Sequence, residues 1–153
     1  MYIKSPLQKE KELSQPLGKY FTLAEFVRSR TASQKKIDNT PNQKVISNLK
    51  YLVENILQPA REELKQPIAI TSGYRCRKLN TAVGGAIYSK HLYGKAADIH
   101  LPSKEYGNKL FAILSKNKHV DTLLYEHNRA GTTWLHVSWS EEPRHLCIKD
   151  YKV

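Results

Sequence analysis

The stretch Ser89-Lys90-His91-Leu92-Tyr93-Gly94-Lys95-Ala96-Ala97-Asp98 decides how this sequence is interpreted, and Trp134-Leu135-His136-Val137-Ser138 completes it. His91, Asp98 and His136 are a candidate ligand set for a catalytic zinc ion. Such sites use three protein ligands drawn from His, Asp and Glu and leave a fourth position for water. Asp98 follows His91 at a distance too long for one helix face, so a loop that turns at Gly94 must fold His91 back.

The residues around Asp98 alternate in a way that is typical of a half-buried strand. Ala97, Ile99 and Leu101 point one way, and Ala96, Asp98 and His100 point the other. A second pair of strands is predicted from Thr122 to Glu126 and from Thr133 to Trp139, joined by a glycine-bearing loop as an antiparallel hairpin. In that hairpin His136 shares a face with Trp134 and Ser138.

Helices are predicted before and between these strands. Thr22 and Glu25 form a capping box, with Phe21 and Phe26 placed as a hydrophobic staple. Thr40-Pro41 opens the longest helix, which Pro59 should interrupt. Further expectations are a strand from Ile68 to Ser72, a glycine-rich loop over residues 79–86, and a helix capped by Ser103. The expected fold class is α+β, with helices packed on a small antiparallel sheet that carries the metal.

Length and composition are those of one globular domain. The chain has 153 residues, of which 40% are hydrophobic and 25% are charged. Residues 1–19 are polar with two prolines and are expected to form a flexible arm, followed by a single domain over residues 20–153. The formal net charge of +11 suits an anionic polymer such as a bacterial cell wall, or simply a solvated basic surface. No nucleic-acid partner is expected, because no arginine-rich stripe or RNA-binding aromatic signature accompanies the charge.

Several common sequence signals are absent. Cys76 and Cys147 lack Cys-x-x-Cys spacing, so they are either idle thiols or, if the fold brings them together, one disulfide. The beginning of the chain lacks the apolar run of a secretory signal, and no stretch is long enough for a membrane span. We therefore expect synthesis in the cytoplasm and a separate route to any target outside it.

The combination of motifs resembles a known family. Ser-x-His-x-x-Gly-x-Ala-x-Asp at residues 89–98, followed by Trp134-x-His136, is similar to the zinc D-alanyl-D-alanine carboxypeptidase and L-alanyl-D-glutamate endopeptidase family, which has the hedgehog/DD-peptidase fold. The residues that extend the likeness run from about Tyr20 to Trp139, and they are Phe21-Thr22-Leu23-Ala24-Glu25-Phe26, Asp38-Asn39-Thr40-Pro41, Ile70-Thr71-Ser72-Gly73-Tyr74-Arg75 and Leu79-Asn80. The resemblance is to a small phage-like or prophage-like branch.

The resemblance implies a function and a site. The implied activity is Zn²⁺-dependent hydrolysis of peptide bonds that involve D-amino acids in peptidoglycan stem peptides. His91, Asp98 and His136 would hold the zinc ion, and Arg75 would bind a substrate carboxylate. Ser89, His100 and Tyr74 are candidates for supporting or substrate contacts. An endolysin-like enzyme, monomeric and released to the cell wall by a holin-type partner, would fit the missing signal.

One position departs from the family pattern. Many members carry an acidic residue three positions before the last histidine, where this chain has Thr133, which cannot act as a base. Glu126, at the mouth of the predicted hairpin, is the best remaining candidate, and a salt-bridge role is the alternative for it. The departure keeps open a different class of function, a non-catalytic wall-binding or phage structural module that retains the zinc site as scaffold.

Overall fold

The computed structural model describes residues 3–153, and this part of the chain has the α+β architecture expected from the sequence. Its α-helices are α1 (Pro6–Leu13), α2 (Leu23–Val27), α3 (Arg30–Lys35), α4 (Gln43–Leu52), α5 (Gln58–Leu64), α6 (Arg77–Ala82) and α7 (Lys104–Ser115). A π-helical turn over Val53–Leu57 joins α4 to α5, and a 3₁₀ turn over Lys90–Tyr93 precedes the sheet strand that carries Asp98.

The strands within residues 3–153 form two sheets. They are β1 (Pro16–Leu17), β2 (Phe21–Thr22), β3 (Ile70–Ser72), β4 (Ala96–His100), β5 (Val120–His127), β6 (Thr133–Trp139) and β7 (Leu146–Lys152). β1 and β2 pair with each other, and the other five lie in the order β3-β4-β6-β5-β7. The predicted hairpin is β5–β6, and all neighbours in the larger sheet are antiparallel except β5 and β7, which are parallel.

The core lies between the helices and one face of the larger sheet. Leu49, Leu52 and Ile56 on the long helical segment are fully buried, as is Leu110 on α7. The sheet contributes fully buried residues from its three central strands, namely Ala97, Ile99, Leu123, Leu135 and Val137. Because side chains alternate along a strand, Asp98 and His136 are presented on the opposite face.

The N-terminal segment is more ordered than the sequence analysis expected. Residues 3–19 of the expected flexible arm include α1 and β1, and Leu17 is fully buried in the core. Ser5 caps α1 by accepting from the backbone N–H of Gln8, whose side chain in turn accepts from the backbone N–H of Ser5. The first two residues of the expected arm lie outside the described residues.

The long helical segment begins later than predicted. Asn42, not Thr40, is the N-cap, accepting from the backbone N–H of Val45 at 2.9 Å. Thr40 instead turns back onto the Asp38 carboxylate, which accepts from its backbone N–H at 3.0 Å. The interruption predicted near Pro59 is present as the π-helical turn. Proline has no N–H to donate to the carbonyl four residues earlier, which is that of Asn55. This carbonyl instead accepts from Asn117 Nδ2 at 2.8 Å.

Among the other local predictions, two helix caps are confirmed and one loop boundary is wrong. The capping box and staple at α2 are confirmed, with the Glu25 carboxylate accepting from the Thr22 backbone N–H at 2.6 Å and the Phe21 and Phe26 rings 5.8 Å apart. Ser103 caps α7 as predicted. The glycine-rich loop was predicted too long, because α6 occupies residues 77–82.

Two further features concern the whole chain. Cys76 and Cys147 are both free thiols. None of the helices formed by residues 3–153 combines the length and the apolar character that crossing a membrane requires.

Candidate metal centre

Strand pairing brings Asp98 and His136 together. β4 and β6 are antiparallel, and Asp98 is the cross-strand partner of His136, with Leu124 of β5 next in the same row. Direct cross-strand partners point to the same face of a sheet. His136 Nδ1 and Asp98 Oδ1 are accordingly 3.0 Å apart, on the face turned away from the core.

The 3₁₀ turn Lys90–Tyr93 delivers His91 to the same place. Ser89 starts the turn by accepting from the backbone N–H of His91 at 3.2 Å. Gly94 ends it with φ of +71°, and a Cβ added there would lie 2.8 Å from the carbonyl oxygen of Val45. His91 is 2% exposed, and its Nε2 lies 3.3 Å from Asp98 Oδ1. The loop that the sequence required between the first two ligands is thus this turn.

The hydrogen bonding of His91 decides whether these residues suit a metal ion. Its Nδ1 lies 2.6 Å from the carbonyl oxygen of Gly73, which can only accept, so Nδ1 carries the proton. Burial lowers the pKa of His91 and favours the neutral ring. Its Nε2 lone pair then faces a carboxylate oxygen of Asp98. Two acceptors in direct apposition repel each other unless a cation lies between them.

Asp98 is ionised in this arrangement. Burial opposes its charged form, but positive charge on the facing imidazoles of His91 and His136 and the hydrogen bonds that they donate outweigh burial and hold the pKa of the carboxyl well below its usual range. With His91 neutral, a bound cation would supply that positive charge instead. The one ligand atom that each residue offers lies within 4.8 Å of the other two. A neutral imidazole held through its other nitrogen and an ionised carboxylate are the forms in which zinc is bound, so the donor set fits zinc.

Arg75 lies beside this cluster. Its backbone N–H donates to the carbonyl of His91 at 3.0 Å, and its Nη2 is 4.0 Å from Asp98 Oδ2. The side chain is 14% exposed, and burial lowers the pKa of the guanidinium. Within the described part of the chain Arg75 Nε has no hydrogen-bond partner. Nε is thus a buried donor without a partner, in a side chain that lies beside the candidate metal ligands.

Tyr74 acts through its backbone in this structure. Its N–H donates to the carbonyl of Phe26 at 2.7 Å, and its own carbonyl accepts from Asn39 Nδ2 at 3.0 Å. These bonds fasten the loop that carries Arg75 to α2 and to Asn39. The half-buried ring packs against the core, and burial raises the pKa of its hydroxyl.

Glu126 lies on the same face as the three ligands. It is the cross-strand partner of Trp134, two residues along β6 from His136. Burial raises the pKa of the Glu126 carboxyl, while His136, Trp134 and Arg75 oppose that rise. A carboxyl group whose pKa is raised by burial, next to a metal centre, has the properties of a proton acceptor at neutral pH.

Thr133 is turned away from this group. It pairs with His127 at the far end of the hairpin, and its odd offset from His136 puts its side chain on the core face. There it lines a surface cavity with Tyr125 and Leu101. An acidic residue at this position of a regular strand would not face the metal ligands.

His100 is on the same face of β4 as Asp98, but it is exposed at the end of the strand. It is not in the group of described residues that could hold a metal, which contains His91, Asp98 and His136. A supporting role for His100 stays a prediction. Sequence reasoning missed the carbonyl of Gly73, because a backbone acceptor leaves no signature in residue type.

A cavity of about 330 Å³ opens beside the cluster. Arg75 and Asp98 line it, and so do residues 28–31 at the junction of α2 and α3, which form its second wall. No sequence motif tied the arginines of this second wall, Arg28 and Arg30, to the ligands.

A family model described as Peptidase M15 matches residues 19–138, which include all three candidate ligands, Arg75 and Glu126. No curated protein matches the chain.

Proposed function

The chain belongs to the peptidase M15 family, whose members are zinc-dependent peptidases, and from that premise we propose that it hydrolyses peptide bonds involving D-amino acids in the stem peptides of peptidoglycan. The observation that carries the proposal is the apposition of His91 Nε2 and Asp98 Oδ1 at 3.3 Å, which a bound cation would resolve. The net charge of +11 supports an anionic polymer as the target.

The three ligands have separate tasks in this proposal. His91, locked through Nδ1 onto the carbonyl of Gly73, offers Nε2 in a fixed direction, and Asp98 and His136 converge on the same point from two neighbouring strands. Zinc bound there supplies an activated water and polarises the scissile carbonyl.

Glu126 is proposed as the general base. Since its carboxyl group lies on the ligands' face and is half-buried, it is placed to take a proton from the attacking water and to return it to the leaving amine. Ionised Glu126 is the active form, so activity should be lost on the acid side as pH falls through its raised pKa.

Arg75 is proposed to hold a substrate carboxylate. Its planar guanidinium suits two-pronged binding of a carboxylate, and Arg75 lines the cavity beside the metal ligands. A peptide whose carboxylate is bound by Arg75 would lie next to the metal ligands, because Arg75 Nη2 is 4.0 Å from Asp98 Oδ2.

The test compares zinc content and hydrolysis of purified peptidoglycan fragments in the wild type, His91→Ala and Glu126→Gln. The proposal expects zinc to be lost in His91→Ala. It expects Glu126→Gln to retain zinc while turnover falls about 10²- to 10⁴-fold, the usual contribution of a general base.

Other outcomes would redirect the proposal. Zinc without turnover in the wild type would favour a wall-binding or phage structural module that keeps the metal as scaffold. Wild-type turnover that survives in Glu126→Gln would remove Glu126 as the base. Protein that holds no zinc when prepared without chelator would remove the metal-centred mechanism altogether.

A further inference from the structure

The cavity beside the metal ligands has a second cationic wall. Arg28 caps the C-terminal end of α2, and Arg30 is the first residue of α3. Both line the cavity of about 330 Å³ that Arg75 and Asp98 also line. Three arginines therefore border the space next to the candidate metal centre, and Arg28 and Arg30 border a neighbouring cavity of about 530 Å³ as well.

The two walls of the cavity are fastened to each other. The carbonyl of Phe26 accepts from the backbone N–H of Tyr74 at 2.7 Å, and the carbonyl of Val27 accepts from Asn39 Nδ2 at 3.0 Å, the same amide that bonds the carbonyl of Tyr74. A Cβ added at Gly73 would lie 2.6 Å from the Phe26 carbonyl oxygen, so the backbones touch. The backbone that leads into Arg28 is therefore held at a fixed spacing from the backbone of Arg75.

The charges of the second wall are not balanced by the protein. Among the described residues, neither Arg28 nor Arg30 forms an ion pair with a carboxylate. Arg28 Nε makes a long contact of 3.4 Å to the carbonyl of Ala24. Asp98 is the one carboxylate among the described residues that line the cavity, and it is engaged by the two histidines. The remaining lining is uncharged, with hydroxyl groups from Ser29, Thr31 and Ser72 among it.

We propose that Arg28 and Arg30 form a second carboxylate-binding subsite, which makes the protein selective for peptides that carry a free carboxylate in addition to the one held by Arg75. This inference rests on the proposed function and narrows its substrate class to doubly acidic peptides over those in which the second carboxylate is amidated. An amide presents no charge to the guanidinium groups and matches only part of their hydrogen-bonding geometry.

The subsite acts mainly on binding. Both arginines are exposed, so each contact with a carboxylate is weakened by water and salt. An exposed ion pair of this kind changes affinity by up to about fivefold. The contact is distant from the bond that reacts, so it should lower KM and leave kcat nearly unchanged.

The test uses two synthetic stem peptides that differ only at the second carboxylate, free in one and amidated in the other. Equilibrium binding and kcat/KM are measured for the zinc-loaded wild type, Arg28→Gln, Arg30→Gln and the double variant. Arg77→Gln is the matched control, since Arg77 is exposed on α6 and does not line the cavity. Melting temperatures verify that each variant is folded.

The wild type should bind the free-carboxylate peptide more tightly than its amide, by up to about 25-fold, and the preference should disappear in the double variant and at high salt. Arg77→Gln should keep it. Equal binding of the two peptides by the wild type, no binding of either, or an equal loss for both in the arginine variants would overturn the subsite. Because binding is measured separately from turnover, a protein that prefers the free carboxylate without cleaving it would overturn the proposed function and leave the subsite standing.

Discussion

Asp121 carries a carboxylate that is buried at the bulge of β5, where the residue is only 1% exposed. Its Oδ1 accepts from the backbone N–H and Nε of Arg144 at 2.9 and 3.1 Å, and its Oδ2 accepts from Arg144 Nη2 at 2.8 Å. Ser140 adds a fourth bond at 3.2 Å. The carboxylate thereby fastens the connection between β6 and β7 to β5.

The size of this contribution follows from the pKa of Asp121. Hydrogen bonds from the Arg144 side chain, together with its backbone and charge, outweigh burial and lower the pKa from 3.8 to about 2. A folded-state pKa below the unfolded value stabilises the protein above the unfolded pKa, and this stability is lost as pH falls from about 4 to about 2. At 1.36 kcal/mol per pKa unit, the ionised form adds about 2 kcal/mol to the free energy of unfolding at neutral pH.

Asp121→Asn should therefore lower the free energy of unfolding by about 2 kcal/mol at pH 7, which corresponds to roughly 4–8 °C in melting temperature for a domain of this size. The difference from wild type should shrink toward zero at pH 2, because Asp121 is then increasingly protonated in the wild type too. Urea unfolding followed by circular dichroism between pH 7 and pH 2, on metal-free protein, measures it.

Glu141→Gln is the matched control for this experiment. Glu141 pairs with Lys95 but is 74% exposed, so its replacement should leave unfolding unchanged at each pH. A stability difference between Asp121→Asn and wild type that stays constant from pH 7 to pH 2 would refute the electrostatic account. The loss would then come from geometry and not from the charge.

Two further predictions test the metal centre and the loop beside it. Zinc at about a hundred times its dissociation constant should raise the free energy of unfolding by about 2.7 kcal/mol in wild type and in His100→Ala but not in His136→Ala, and an equal shift in all three would contradict the ligand assignment. Gly85→Ala should destabilise the protein by about 1–3 kcal/mol in urea unfolding, because the added Cβ would lie 2.1 Å from Asn80 Oδ1 and 2.8 Å from Arg75 Nη1. Unchanged stability and substrate KM in that variant would show that the loop yields without moving Arg75.

Local rules predicted the elements whose causes lie within a few residues. Ser103 caps α7 because its hydroxyl is adjacent to the N–H it satisfies, and the alternation from Ala96 to His100 already separates the core face from the ligand face. The same logic would have found α1, since Ser5 and Gln8 have capping-box spacing with proline at the first helical position.

Elements that depend on distant partners were not predictable in this way. β7 is mostly exposed and has no alternating burial, and it is a strand because β5 offers it a free edge. α6 is capped by Cys76, whose Sγ accepts from the N–H of Leu79 at 3.5 Å, an unusual cap that residue preferences do not favour. The carbonyl of Gly73 and the wall formed by Arg28 and Arg30 depend likewise on contacts across the fold.

Strand register determines which carboxylate can reach the metal ligands. The position three residues before His136, where many family members have an acid, is Thr133 in this chain. Thr133 and His136 are an odd number of residues apart in one strand, so their side chains lie on opposite faces of the sheet. Glu126 reaches the ligands' face because β5 pairs it with Trp134, an even number of residues from His136. Glu126 is therefore the proposed replacement for the acid that is missing at Thr133. A Thr133→Glu exchange would put a carboxylate against Tyr125 on the far side of the sheet and should not restore turnover to Glu126→Gln.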